Sequence, residues 1–260
     1  LFVNETKITP GLILDFGTFK TRDTVICGNR SEVDFENGYL VSKKIPMEMD
    51  TIFDLASTSK IFTAVAVLKL EEVGLIDVFD PVKKYVPEFK KLGDTTIYDL
   101  LKFRVKVVTD KRVDSAKTSD DALNILYTLH PVEKELNENS YTDMGAMALR
   151  IVVERVTRMQ FTSFINTAIL RMIGMKDTAL REPNYNKHRI ANENFSTIVT
   201  KEGFGITRYD NYPGTPHDKK AIAIGELQGI APGHAGYFST KDDMIKFANN
   251  LCNGNLLKKE

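Results

Sequence analysis

Apolar and polar positions change rhythm three times along the chain. Over residues 8–50, short apolar runs such as Gly11-Leu-Ile-Leu-Asp-Phe16 and Thr24-Val-Ile-Cys27 are separated by glycines and charged pairs, with a turn-rich stretch around Asn37-Gly38. That spacing predicts an antiparallel meander. Over 57–73 no glycine or proline interrupts, and apolar residues crowd nearly every face. This predicts a buried helix that stops at Gly74. Asp80-Pro81 reads as a turn or a new helix start. Further helices are predicted over 96–103, 119–129, 144–158 and 161–172, the third with Ala148, Leu149, Val152 and Val156 on one face and the last closed by Gly174. Residues 183–220 are polar and carry prolines and glycines, the composition of a long connecting segment. A last amphipathic helix is predicted over 241–251, started by Ser239-Thr240 ahead of Asp242 and Asp243. Strands, then helices, then a mixed tail predict an α/β chain with an inserted helical lobe. The expected division is a sheet lobe of about 1–56 and 180–260 around a helical lobe of about 57–179, in one unit.

Composition narrows the classes. A chain of 260 residues suits one large domain or two interleaved lobes sharing a core. Its 42% hydrophobic and 27% charged residues are ordinary for a globular protein. Thirty-five basic residues balance thirty-five acidic ones, which argues against nucleic-acid or anionic-membrane partners, since those leave a basic excess. Lys102, Arg104, Lys106, Lys111 and Arg112 lie in a mixed-sign stretch that reads as a solvated face. The two cysteines, Cys27 and Cys252, make neither a disulfide framework nor a metal cluster and read as free thiols. The longest apolar run, 61–68, is too short to span a bilayer. The chain opens on Leu1, so an upstream segment is expected to have been removed or left out.

Most chemistries lack their residues. His130, His188, His217 and His234 have no metal-ligand spacing. Gly203-Phe-Gly205 lacks the third glycine of a phosphate loop, and no G-x-S-x-G elbow occurs. No cofactor and no metal are expected. Ser57-Thr-Ser-Lys60 is the exception. Serine and lysine three apart on a helix share a face. Ser57 would sit in the first turn, where unpaired N–H groups and the dipole favour a developing anion. Lys60 leads into Ile-Phe-Thr-Ala-Val-Ala-Val-Leu, and apolar surroundings would favour its neutral, basic form.

The longer string Thr51-Ile-Phe-Asp-Leu-Ala-Ser-Thr-Ser-Lys-Ile-Phe-Thr-Ala64 resembles the nucleophile segment of class C β-lactamases and the related esterases and D,D-peptidases. So do Leu70-Glu-Glu-Val-Gly-Leu-Ile-Asp-Val-Phe-Asp-Pro-Val82 and Tyr85-Val-Pro-Glu-Phe89. Asn139-Ser-Tyr-Thr-Asp-Met-Gly145 resembles the family's tyrosine-x-asparagine motif, and 151–157 and 169–178 resemble the segment after it. The resemblance implies a β-lactamase/transpeptidase-like fold, an antiparallel sheet flanked by helices with a helical lobe beside it. It further implies a serine hydrolase working through an acyl-enzyme, with Ser57 as nucleophile, Lys60 as its partner and Tyr141 as proton shuttle. Asp143, His234 and Gly236 would contact substrate: a D-alanyl peptide of cell-wall type, a small ester or amide, or a β-lactam. An extracytoplasmic or cell-surface setting goes with that group.

The chain departs from the family in three places. Asp143 stands where asparagine is usual, and a carboxylate there would keep Lys60 protonated and move the base role toward Tyr141. The threonine-serine-glycine turn common after the paired leucines is absent behind Leu100-Leu101. No lysine- or histidine-threonine-glycine strand occurs. Gly233-His-Ala-Gly236 resembles instead a loop bordering the cleft, preceded in the same branch by Pro216-His217-Asp218. The expected reason is a chain lacking its C-terminal strands; the alternative is that His234-Ala-Gly236 takes the third place. The rival to an enzyme is a penicillin-binding module that acylates slowly or never.

Overall fold

The structure, a computed structural model, describes residues 3–5, 9–36, 39–133, 140–180, 188–191, 195–200, 203–208 and 214–258. The predicted turn at Asn37-Gly38 and residue Asn139 of the tyrosine motif lie outside the described residues. In chain order the elements are β1 (Gly11–Gly17), β2 (Arg22–Glu36), β3 (Tyr39–Pro46), β4 (Ile52–Asp54), α1 (Lys60–Glu72), α2 (Ile97–Leu101), β5 (Val107–Val108), α3 (Ser119–Leu126), β6 (His130–Pro131), α4 (Asp143–Thr157), α5 (Phe161–Ile165), β7 (Ala179–Leu180), β8 (Phe195–Thr200), β9 (Gly203–Arg208), α6 (Lys219–Gln228), β10 (Tyr237–Thr240) and α7 (Lys241–Cys252). Every strand pair among them is antiparallel, so the expected mixed α/β architecture with antiparallel sheets is present.

The predicted meander is β1-β2-β3. Its register runs from Gly11↔Gly28 to Gly17↔Arg22, and irregularities lie between Asn29 and Val33 on the β2–β3 side. A second sheet, β4-β10-β7, pairs Phe238 with Asp54 and Ala179. It thus sets the strand that leads to Ser57 beside the strand that follows Gly236.

The helices follow their caps. Thr96 and Asp99 form a reciprocal capping box on α2, Thr118 caps α3, and Thr240 accepts from the Asp243 N–H at the start of α7. The helix predicted over 161–172 is regular only through Ile165 and widens into a π-helical stretch, Asn166–Leu170. The helix predicted from Ser57 begins at Lys60, because Ala56–Ser59 is a 3₁₀ turn. The segment read as a connection over 183–220 holds the β8–β9 hairpin and the start of α6.

One buried cluster joins Phe62, Val65 and Leu70 of α1, Met147 and Val152 of α4, Ile224 of α6 and Phe247 of α7. It draws on residues from both stretches assigned above to separate lobes. Cys27 in β2 and Cys252 at the end of α7 are free thiols. No helix among the described residues is long and apolar enough to cross a membrane.

Candidate active site

Asp54 ends β4, and its Oδ1 accepts from the Ala56 N–H at 2.8 Å. That contact helps hold Ala56 at φ +43°, a conformation uncommon for alanine. The chain then bends into the 3₁₀ turn with Ser57 exposed. Residues three apart eclipse in such a turn, so the Lys60 side chain overlies Ser57, and its Nζ donates to Ser57 Oγ at 2.8 Å.

The Lys60 ammonium has two further acceptors, Asp143 Oδ1 at 2.8 Å and the His234 carbonyl at 3.2 Å. It also stands over the Tyr141 ring, 4.8 Å from the centroid. The apolar setting inferred for Lys60 from sequence does not describe this site, since a carboxylate lies as near to it as Ser57 does. Tyr141 is 44% exposed and packs its ring on Phe103, with centroids 4.9 Å apart. Phe103 has φ +50° in the turn after Leu100-Leu101.

Asp143 is the first residue of α4, whose cap Thr142 accepts from the Met144 N–H and donates to the Val107 carbonyl. The second Asp143 oxygen takes Lys220 Nζ at 3.1 Å, and Lys220 also meets Asp218 Oδ2 at 3.0 Å. Asp218 caps α6 by accepting from the Ala221 N–H, and its Oδ1 lies 2.9 Å from His234 Nε2. His234 is buried, and its carbonyl returns to Lys60. The circuit Lys60–Asp143–Lys220–Asp218–His234 therefore closes on itself. Asp143, Asp218 and His234 could each offer a metal-ligand atom within 4.8 Å of the others, but the carboxylate oxygens already face two ammonium groups and the imidazole.

Burial alone would raise the Asp143 pKa, but the Lys60 hydrogen bond and nearby positive charge outweigh it and hold the carboxyl below its ordinary value. Burial acts the same way on Asp218, and the His234 and Lys220 contacts overcome it more strongly, leaving Asp218 far below the carboxylate range. Burial would lower Lys220, but its hydrogen bonds to Asp218 and Asp143 raise it. Depressed carboxylates contribute stability that is full above the unfolded value of 3.8 and is lost as pH falls through the folded values. The melting temperature is therefore expected to fall on acidification below about pH 4. In Asp143→Asn/Asp218→Asn that acid-side slope should flatten; an unchanged slope in a pH series of thermal melts would exclude these two groups as its source.

The loop 233–236 is fixed by packing. Gly233 has φ +94°, its carbonyl accepts from Thr63 Oγ1 at 2.5 Å, and a Cβ would fall 2.7 Å from the Ala146 carbonyl oxygen. Gly233→Ala is expected to cost about 2 kcal/mol or more and to weaken the His234 carbonyl contact with Lys60. Urea unfolding would measure this, and a wild-type midpoint would count against it. Gly236 has φ +102°; the nearest atoms to a Cβ there belong to Leu180, Pro232 and Ala221, none of them a proposed site residue.

Ser57, Lys60, Tyr141, Asp143 and His234 thus converge, and Gly236 directly precedes β10. His217 is exposed, and its backbone N–H donates to Asp54 Oδ2 at 2.8 Å, so it borders the nucleophile turn. Sequence reasoning missed Asp54, Asp218 and Lys220 as members of the site. Asp218 ahead of Lys-Lys-Ala-Ile carried a helix-cap signal; nothing local marks Lys220. Beside the network, Asp143, Lys220, Thr142, Arg112 and Asp114 line a cleft of about 420 Å³. Lys60, Ile61, Leu101, Phe103 and Leu149 border a smaller, largely apolar pocket of about 180 Å³.

Comparison with known proteins bears on the family and the fold. The family model described as Beta-lactamase matches residues 25–260. A protein of Salmonella schwarzengrund named "Putative D-alanyl-D-alanine carboxypeptidase" is 28% identical over 242 residues, covering 85% of this chain and 55% of its own length. The chain thus spans about half the length of the curated relatives it matches. A class C β-lactamase from Rhodobacter sphaeroides superposes with a TM-score of 0.67 at 21% identity, over 99% of this chain and 64% of that one. A D-amino acid amidase from Ochrobactrum anthropi superposes with a TM-score of 0.64 at 20% identity, over 92% and 64%.

Proposed function

The chain belongs to the β-lactamase family, and on that premise we propose that it carries the nucleophile of a serine hydrolase acting on a D-alanyl peptide, a small ester or amide, or a β-lactam. The observation that carries this reading is an exposed Ser57 Oγ 2.8 Å from Lys60 Nζ, flanked by a carboxylate and a phenol. The name of the Salmonella relative and the amidase likeness favour a substrate with a D-amino-acid carbonyl.

In this mechanism Ser57 Oγ attacks the carbonyl carbon. A C–O bond forms, and the carbonyl π pair moves onto oxygen, facing the N-terminal end of α1 where backbone N–H groups favour an anion. Lys60 donates to Ser57 in the resting arrangement, so the cluster must release a proton before Ser57 can give up its own. Once that proton has gone to solvent, the Lys60–Tyr141 pair, whose ammonium and ring are in contact, takes the Ser57 proton as Oγ attacks. Collapse of the tetrahedral adduct breaks the bond to the leaving amine or alcohol, which takes the proton back. Water then gives a proton to the same pair as it adds to the acyl carbon, and the second collapse breaks the acyl–Oγ bond, returns that proton to Ser57 and releases the acid.

The test is incubation with a fluorescent penicillin and a fluorophosphonate, followed by mass analysis of the peptide containing Ser57 and assay of a chromogenic ester. Covalent mass at Ser57 with ester turnover supports the enzyme. Labelling by neither probe removes it. Stable labelling without turnover would favour a second reading, a penicillin-binding module; the ion pair of Asp143 with Lys60 speaks for it, because it ties up the proposed partner of Ser57.

A further inference from the structure

We propose that Lys220 is a positioning residue: clamped between Asp143 and Asp218, it shares Asp143 with Lys60 and thereby sets how tightly the Ser57–Lys60–Tyr141 cluster holds its proton, and so the pH range in which Ser57 is acylated. The inference rests on the serine-nucleophile reading above and extends it to a residue that touches neither Ser57 nor Lys60 directly.

The geometry separates Lys220 from an ordinary surface lysine. Its side chain is 24% exposed, and its Nζ lies within 3.1 Å of two carboxylates that are themselves only 23% and 25% exposed. Exposed pairs interact weakly through water, whereas partly buried ones feel a lower dielectric. Asp143 has two oxygens, one on each ammonium, so what one lysine loses the other gains. Asp218 in turn is shared between Lys220 and His234. A change of charge at Lys220 thus reaches the Ser57 cluster through Asp143, and one at Asp218 reaches it through Lys220 and Asp143 and also through His234, whose carbonyl accepts from Lys60.

The titratable and charged groups facing this cluster come from several elements, and Asp110 and Lys111 line the same cleft as Asp143 and Lys220. Asp54 comes from the end of β4, Tyr141 and Asp143 from the entry to α4, Asp218 and Lys220 from the start of α6, and His234 from the loop before β10. Asp114, paired with Arg112, adds a more distant carboxylate that feels Lys220. Removing the Lys220 charge leaves Asp143 with Lys60 and the more distant His234, so the cluster keeps its proton to higher pH. Removing the Asp218 charge sends Lys220 more fully onto Asp143, and the proton leaves at lower pH. The signs are the same whether an amine or a phenol gives up that proton, because each is disfavoured as a base by a nearby carboxylate and favoured by a nearby cation.

The experiment is the rate of Ser57 acylation by a fluorophosphonate from pH 5 to 10, read by mass on the Ser57 peptide, for wild type, Lys220→Gln, Asp218→Asn and Lys220→Arg. Lys220→Gln should move the rising limb up by about 1 pH unit and slow labelling about tenfold on that limb. Asp218→Asn, which can still cap α6, should move the limb down by a similar amount. Lys220→Arg keeps the charge and should restore the wild-type position. A purely structural role would lower the rate in both neutral variants without opposite displacements. Wild-type limbs in both neutral variants, or displacements of one sign, overturn the proposal while leaving the nucleophile intact. Failure of the wild type to label at Ser57 at any pH removes the nucleophile reading itself. Should Lys220→Gln not fold, the downward shift in Asp218→Asn decides alone.

Discussion

Ser57→Ala is expected to abolish covalent labelling by a fluorophosphonate and to lower turnover of a chromogenic ester by at least about a thousandfold, with the fold unchanged. The substitution deletes a single exposed oxygen. Lys60 keeps the Asp143 carboxylate and the His234 carbonyl as acceptors, so no buried charge loses its partner. Exposed replacements of this kind usually shift stability by no more than about 0.5 kcal/mol. Residual hydrolysis would then report only what binding and the electrostatics of the cleft contribute. Undiminished labelling in this variant, with the added mass on another peptide, would remove Ser57 from the chemistry.

Phe62→Ala is expected to have the largest effect on stability, about 3–5 kcal/mol. Phe62 is fully buried two residues past Lys60. Its ring meets Tyr237 and Phe247 edge to face, each at a centroid distance of 5.2 Å, which adds to the burial itself. Those contacts bind α1 to β10 and α7. Tyr237 also accepts from the Leu55 N–H and donates its own N–H to Ser59 Oγ, so loosening this corner should disturb the nucleophile turn and slow labelling at Ser57. Guanidinium unfolding followed by circular dichroism would measure the first effect. A loss below about 1 kcal/mol would mean that the site collapses around the missing ring far better than such cores usually do.

What could be read in the sequence tracked local signals. The meander was legible because glycines and charged pairs punctuate its apolar runs, and α7 because Thr240 and Asp243 announce a cap. Ser57 and Lys60 stood out because they precede an uninterrupted apolar helix. The start of that helix was misplaced, since no pattern distinguishes a 3₁₀ turn held by Asp54 from a first α-helical turn. The β8–β9 hairpin was hidden by the prolines and glycines around it, although Phe195-Ser-Thr-Ile-Val-Thr200 is rich in β-branched residues. The full surroundings of Lys60 were not legible in spacing alone, because Lys220 reaches it only through Asp143, a side chain 77 residues earlier that begins a different helix.

That dependence on distant segments has a bearing on how the protein matures. The acceptors of Lys60 beyond Ser57 lie 83 and 174 residues further along the chain, and the Asp54 carboxylate that bends the backbone before Ser57 also holds an N–H 163 residues away. Contacts of such sequence separation form late and slowly. As the polypeptide is synthesised from its N-terminus, the serine emerges long before the groups that poise it, so a nascent or truncated chain presents an ordinary hydroxyl. Under the serine-hydrolase function proposed above, Ser57 would become reactive only once the segments carrying Asp143 and His234 have docked on it, so that acylation would follow folding.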